Sequence, residues 1–216
     1  MVPWTRLCSA VALPVDYYGG ARGTRSEWAW PKDWRICTTS ASWVIHCDVK
    51  PENILLDQDW EPKIADFGLA KLLNKGGAGS NVSRIRGTRG YIAPEWASSL
   101  PINGKVDVYS YGVVLLELVK GERVTSWVVD GVEEVGMVLR RTIMTLKAEL
   151  VSGEEAWIGQ FVDHRLEEVH WRQAMVMMEI ALACLEEERN RRPTMDSVVQ
   201  MLLSCDDEFP SGGPDT

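Results

Sequence analysis

The stretch Lys105–Lys120 constrains this chain more than any other, because the helix it predicts is apolar on almost every face. Val106, Val108, Tyr109, Val113, Leu116 and Val119 point in all directions around it. A soluble helix of that kind must be buried, so the rest of the chain has to wrap it. Gly121 stands where a helix C-cap is expected. Asp107, near the start of the same helix, needs a polar partner once it is buried.

Three further helices follow from spacing. Residues 133–150 set Val135, Val138, Leu139, Thr142, Leu146 and Leu150 along one side. Residues 171–185 repeat Trp171, Met175, Met178, Leu182 and Leu185 at three-four spacing, with the methionines as core filler. A last helix begins at Pro193 and Thr194 and runs through Leu203, with Thr194 as N-cap. Upstream, residues 54–56 and 63–65 are short strand candidates, and the turn over 57–61 makes them a hairpin. Residues 74–81 read as a loop from their Gly, Asn and Ser content. The expected class is therefore mainly α-helical with a small β hairpin, over residues 43–205. Residues 1–42, with Trp4, Trp28, Trp30 and Trp34, show no sustained period. Residues 206–216 form an acidic tail expected to lack structure.

Composition narrows the partners. The 216 residues are 45% hydrophobic and 25% charged, the balance of a globular protein. The net charge of −8 is concentrated after residue 43, since residues 1–43 are slightly basic. That acidity argues against nucleic acid, whose phosphates demand clustered Lys and Arg. Five cysteines, an odd number without a CxxC pair, fit free thiols in a reducing compartment. No apolar run approaches the roughly 18–20 residues of a membrane span.

The chemistry lies ahead of the apolar helix. His46, Asp48, Lys50 and Asn53 fall within eight residues, and Asp66, Phe67 and Gly68 follow across the hairpin. Phosphoryl transfer to a hydroxyl needs a carboxylate to orient that hydroxyl, a cation to offset charge, and oxygen ligands for Mg²⁺ on the triphosphate. Asp48, Lys50 and Asn53 supply these groups. The hairpin returns the chain so that Asp66 can join Asn53 over one metal, and Gly68 permits a sharp turn after it. A lone Asp-Phe-Gly is usually only a turn. The spacing H-x-D-x-x-x-x-N followed by D-F-G at hairpin distance is far more specific.

With these motifs, with Gly87, Thr88, Arg89, Gly90, Tyr91, Ile92, Ala93, Pro94 and Glu95, with Asp107 to Gly112, and with Arg192 to Met195, the chain resembles the C-terminal lobe of the protein-kinase catalytic domain. It is most similar to plant receptor-like serine/threonine kinases of the S-domain (lectin) type. The resemblance implies ATP and magnesium as cofactors and Ser/Thr proteins as substrates. It implies that Thr88 contacts Asp48 and Lys50, that residues 87–91 shape the slot for the residue after the acceptor, and that Glu95 pairs with Arg192. It further implies that Asp107 braces the catalytic loop and that His46 and Phe67 are structural. Ser80 and Ser83 would be activation-loop phosphosites. The kinase domain would lie on the cytosolic side of a membrane, with a cytoplasmic location expected for this chain.

Two departures stand out. Cys47 occupies the place where many kinases have an Arg that reads activation-loop phosphorylation, so activation here is expected not to require it. Residues 1–42 contain no Gly-rich loop after a strand and no Val-Ala-Ile-Lys context around Lys32, so the N-terminal lobe is expected to be missing. On that expectation the alternatives to an enzyme are a catalytically silent binding module, acting on other kinases or their substrates, and an incomplete gene model.

Overall fold

The computed structural model describes residues 44–56, 58, 62–72, 87–98, 102–128, 133–153, 157–164 and 171–207. The expectations for residues 1–42, for most of the hairpin turn, for the 74–81 loop, for Ser80 and Ser83, and for the tail beyond Asp207 lie outside them.

The central helix α1, Lys105–Lys120, has the predicted bounds and is buried along nearly its whole length, ending on Gly121 at φ 69°. The helices that follow it are α2 (Val135–Ser152), the single turn α3 (Ile158–Phe161), α4 (Trp171–Cys184) and α5 (Met195–Asp207). Helix α4 packs on α1, and α5 packs on α4. The approach of α1 to α4 is closest at Gly112. A Cβ there would stand 2.8 Å from the Cys184 Cβ and 3.0 Å from the Ala181 carbonyl oxygen, so any side chain would push the helices apart. Leu115, Leu116, Met178, Ala181 and Val198 are completely or almost completely buried around this contact. Each large apolar side chain so buried contributes about 1.5–3 kcal/mol.

Sequence periodicity locates these helices with small errors of face. In α2 the buried residues are Val138, Leu139, Ile143 and Leu146. Thr142, expected on that side, is only partly buried and returns its hydroxyl to the Val138 carbonyl at 3.0 Å, while Ile143 takes the core position. In α4 Met177 is buried beside the expected Met178, and Met175 is partly exposed. Thr194 caps α5 by accepting from the Ser197 N–H at 3.1 Å. Helix α5 runs to Asp207, two residues into the stretch expected to be an unstructured tail.

Four short strands carry the remainder. Strand β2 (Ile54–Leu56) pairs antiparallel with β3 (Pro62–Ile64), with Ile54 opposite Ile64. This is the predicted hairpin, with its second strand starting one residue earlier. Strand β1 (Val44–Ile45) pairs antiparallel with β4 (Lys71–Leu72). That pairing encloses the hairpin. It leaves no periodic trace, because two-residue strands are too short to alternate.

Candidate functional site

Between β1 and β2 the chain makes a loop fixed from below by α1. The Asp107 carboxylate accepts from the His46 N–H at 2.7 Å and from the Cys47 N–H at 2.8 Å, one to each oxygen. Cys47 reaches this arrangement with φ 68°, a left-handed conformation costly for a side chain with a Cβ. The two charge-assisted bonds offset that cost. Burial pushes the Asp107 carboxyl up to about 7, and the two N–H bonds work against that shift.

His46 is fully buried and its tautomer is set by its neighbours. Nδ1 accepts from the Asp48 N–H at 3.3 Å, so Nε2 carries the proton and donates to the Ala65 carbonyl at 3.0 Å. Burial lowers its pKa and keeps it neutral. The ring thereby joins the loop to the segment just ahead of Asp66. The Ala65 N–H, in turn, donates to the Asn53 carbonyl at 2.7 Å.

Asp48, Lys50 and Thr88 form a closed triangle. The Thr88 hydroxyl donates to Asp48 Oδ1 at 2.7 Å and accepts from Lys50 Nζ at 2.8 Å, and Lys50 Nζ lies 2.8 Å from Asp48 Oδ2. Asn53 Nδ2 donates to the Asp48 carbonyl at 2.8 Å and to Oδ2 at 3.2 Å. Burial opposes ionisation of Asp48, but the bonds from Lys50 and Thr88 outweigh it and hold the carboxyl below its usual value. Such a carboxylate is a weak base and a good orienting acceptor. Gly87 approaches this loop closely, since a Cβ on it would meet the Cys47 carbonyl at 3.1 Å, and its φ of 128° suits glycine.

Asp66 is exposed and left-handed at φ 63°, and its Oδ1 accepts from the Gly68 N–H at 3.1 Å. Phe67 is half exposed and meets the His46 ring edge-on at 5.0 Å. The Asn53 amide turns its nitrogen to Asp48, and its Oδ1 has no hydrogen-bond partner among the described residues. Asn53 Oδ1 and the Asp66 carboxylate are hard oxygens of the kind magnesium takes, and they fit that ion. Glu95 and Arg192, both buried, meet in a two-point pair at 2.7 and 2.8 Å.

Sequence reasoning passed over Glu117 and Arg123, and took Tyr91 only as part of the 87–91 stretch. Glu117 is completely buried in α1 and accepts from the Tyr91 hydroxyl and the Val124 N–H, each at 2.7 Å. The argument that singled out Asp107, an acid inside an apolar helix, applies equally to Glu117 and would have found it.

Comparison with known proteins gives the family of the chain. The protein kinase domain family matches residues 39–203. A receptor protein kinase of Zea mays, ZmPK1, is 60% identical over 166 residues, covering 76% of this chain and 20% of the relative. Two G-type lectin S-receptor-like serine/threonine-protein kinases of Arabidopsis thaliana are 46% and 42% identical over 165 and 169 residues, covering 74% and 77% of this chain and 18% of each relative. The chain thus spans about a fifth of the length of the curated relatives it matches. With 165 of its residues in the family's domain and relatives of that name, this chain belongs to the protein kinases, on their serine/threonine receptor-like branch.

Proposed function

We propose that this chain is the C-terminal lobe of a serine/threonine protein kinase and contributes the residues that transfer the ATP γ-phosphoryl group to a protein hydroxyl. The Thr88–Asp48–Lys50 triangle supports this reading most strongly. It joins residues forty positions apart and leaves one carboxylate and one ammonium facing the same place. In the reaction the acceptor oxygen bonds to the γ-phosphorus while the bond to the bridging oxygen of ADP breaks. Asp48 holds the hydroxyl in line and takes its proton late, in keeping with its low basicity. Lys50 offsets charge on the moving phosphoryl group. Thr88 keeps Asp48 and Lys50 in register. Asn53 and Asp66 would hold magnesium, which supplies charge neutralisation of the triphosphate when bound. Glu95 with Arg192 ties the segment after Thr88 to the helical base.

Among the described residues no helix is long and apolar enough to cross a membrane. Cys47 and Cys184 are buried and in no disulfide among the described residues. The reduced state of these cysteines supports a cytosolic setting for this part of the protein.

The test is phosphate transfer from γ-labelled ATP with Mg²⁺ to a generic Ser/Thr substrate, by the purified chain and by Asp48→Asn. The reading expects transfer that falls by a factor of about 10² or more in the variant, the scale of a lost acid–base group. Equal transfer by both proteins would overturn the role of Asp48. No transfer by either would favour a silent binding module.

A further inference from the structure

Arg123 sits just before a 3₁₀ turn, Val124–Trp127, that follows α1. Among the described residues its guanidinium meets Glu52, Glu117 and Tyr91. One side pairs with Glu52, in the loop between Lys50 and Asn53. The Nε side lies 3.7 Å from Glu117 Oε1, whose carboxylate is completely buried in α1. The face lies 5.6 Å from the centre of the Tyr91 ring, three residues beyond Thr88. Tyr91 is itself fastened at both ends. Its hydroxyl donates to Glu117, and its carbonyl accepts from the Ser110 hydroxyl at 2.7 Å.

Glu117 explains why a cation belongs there. Its Oε2 has no hydrogen-bond partner among the described residues. A buried carboxylate so placed is costly unless a positive charge is close. Arg123 supplies that charge and still has a donor left for Glu52. A planar fork offers separate, rigidly spaced donors to the two acids, whereas a lysine ammonium is a compact point charge.

We infer that Arg123 is a positioning residue, a clamp that holds the catalytic loop at Glu52 in register with the Thr88–Tyr91 turn, using buried Glu117 as its fixed point. Its part in phosphoryl transfer rests on the function proposed above, but its part in holding the two segments does not. Arg123 touches neither Asp48 nor Thr88. It acts through Glu52, two residues from Lys50, and through Tyr91, three residues from Thr88.

Peptide-resolved amide hydrogen exchange on the full chain tests the clamp whether or not the chain transfers phosphate. Three proteins are compared with the wild type: Glu52→Gln, Arg123→Lys and Arg123→Ala. Glu52 is half exposed, so Glu52→Gln should leave the unfolding midpoint unchanged while cutting only the loop side of the clamp. In Glu52→Gln and Arg123→Lys, exchange should rise about two- to fivefold over 48–53, the scale of one partly exposed ion pair, with α1 and α4 unaffected. In Arg123→Ala the rise should extend to 87–93. In an active chain, the same variants should raise KM for the protein substrate without raising KM for ATP. Unchanged exchange in both segments of Glu52→Gln and Arg123→Lys would overturn the clamp. So would a uniform rise across the whole chain in Arg123→Lys, which would make the residue merely structural.

Discussion

The helical base and the loop over residues 46–53 are held by different forces. In the base, α1 packs against α4 through apolar side chains and a glycine contact, and almost everything at the interface is dry. The loop has hardly any core of its own. Its strands are two or three residues long, and it keeps its shape through polar bonds between residues far apart in sequence. The two meet at three buried acids, Asp107, Glu117 and Glu95. Each reaches from the base, or from the segment joined to it, to a partner elsewhere. The base thus supplies stability, and the acids convert that stability into geometry at Asp48.

If that division is right, the largest loss should come from cutting a junction that is itself buried. Glu95→Ala would strand Arg192, which is 1% exposed and would keep only carbonyl partners and the Tyr109 ring. Urea unfolding should show a loss of about 3–5 kcal/mol, the cost of breaking a buried pair on one side. A loss below about 1 kcal/mol would mean that the junction behaves as a surface pair.

A smaller effect should appear in the pH dependence of stability. Burial raises Asp107 and Glu117 to about 7 from ordinary values of 3.8 and 4.5. The folded protein therefore keeps protons that the unfolded chain releases between about pH 4 and pH 7, so these groups contribute stability that is lost as pH rises through that window. Glu117→Gln should remove about 1.4 kcal/mol per pH unit from that decline. An unchanged slope would show that Glu117 stays ionised in the folded protein, with Arg123 outweighing burial. Asp48 has the opposite sign. Its lowered pKa gives stability above pH 4 that is lost on acidification below it.

The two regions also differed in how much could be read in advance. The bounds of α1 follow from its all-round apolar run, and α4 and α5 follow from spacing and from the Thr194 cap, because burial leaves a local periodic record. The loop leaves none. His46, Asp48, Asn53 and Asp66 were marked by motif spacing, and the contacts of Thr88 and Arg192 by family resemblance. The pairing of β1 with β4, the left-handed Cys47 and the linkage of Arg123 to Glu52 have no local signature, since each depends on a partner at least 25 residues away or on the tertiary pull of Asp107. Glu117 was legible in principle and was hidden by the apolar residues around it.

The hanging of the loop on the base can be read one amide at a time. Asp107→Asn replaces one acceptor oxygen with an N–H₂ group that faces a backbone N–H. The amide exchange rates of His46 and Cys47, measured by NMR in this variant and in the wild type, report whether α1 holds the loop. The account predicts rates at least about tenfold faster at those two amides, with the amides of α1 and α4 as slow as before. Unchanged rates at His46 and Cys47, or an equal rise throughout α1 and α4, would contradict it.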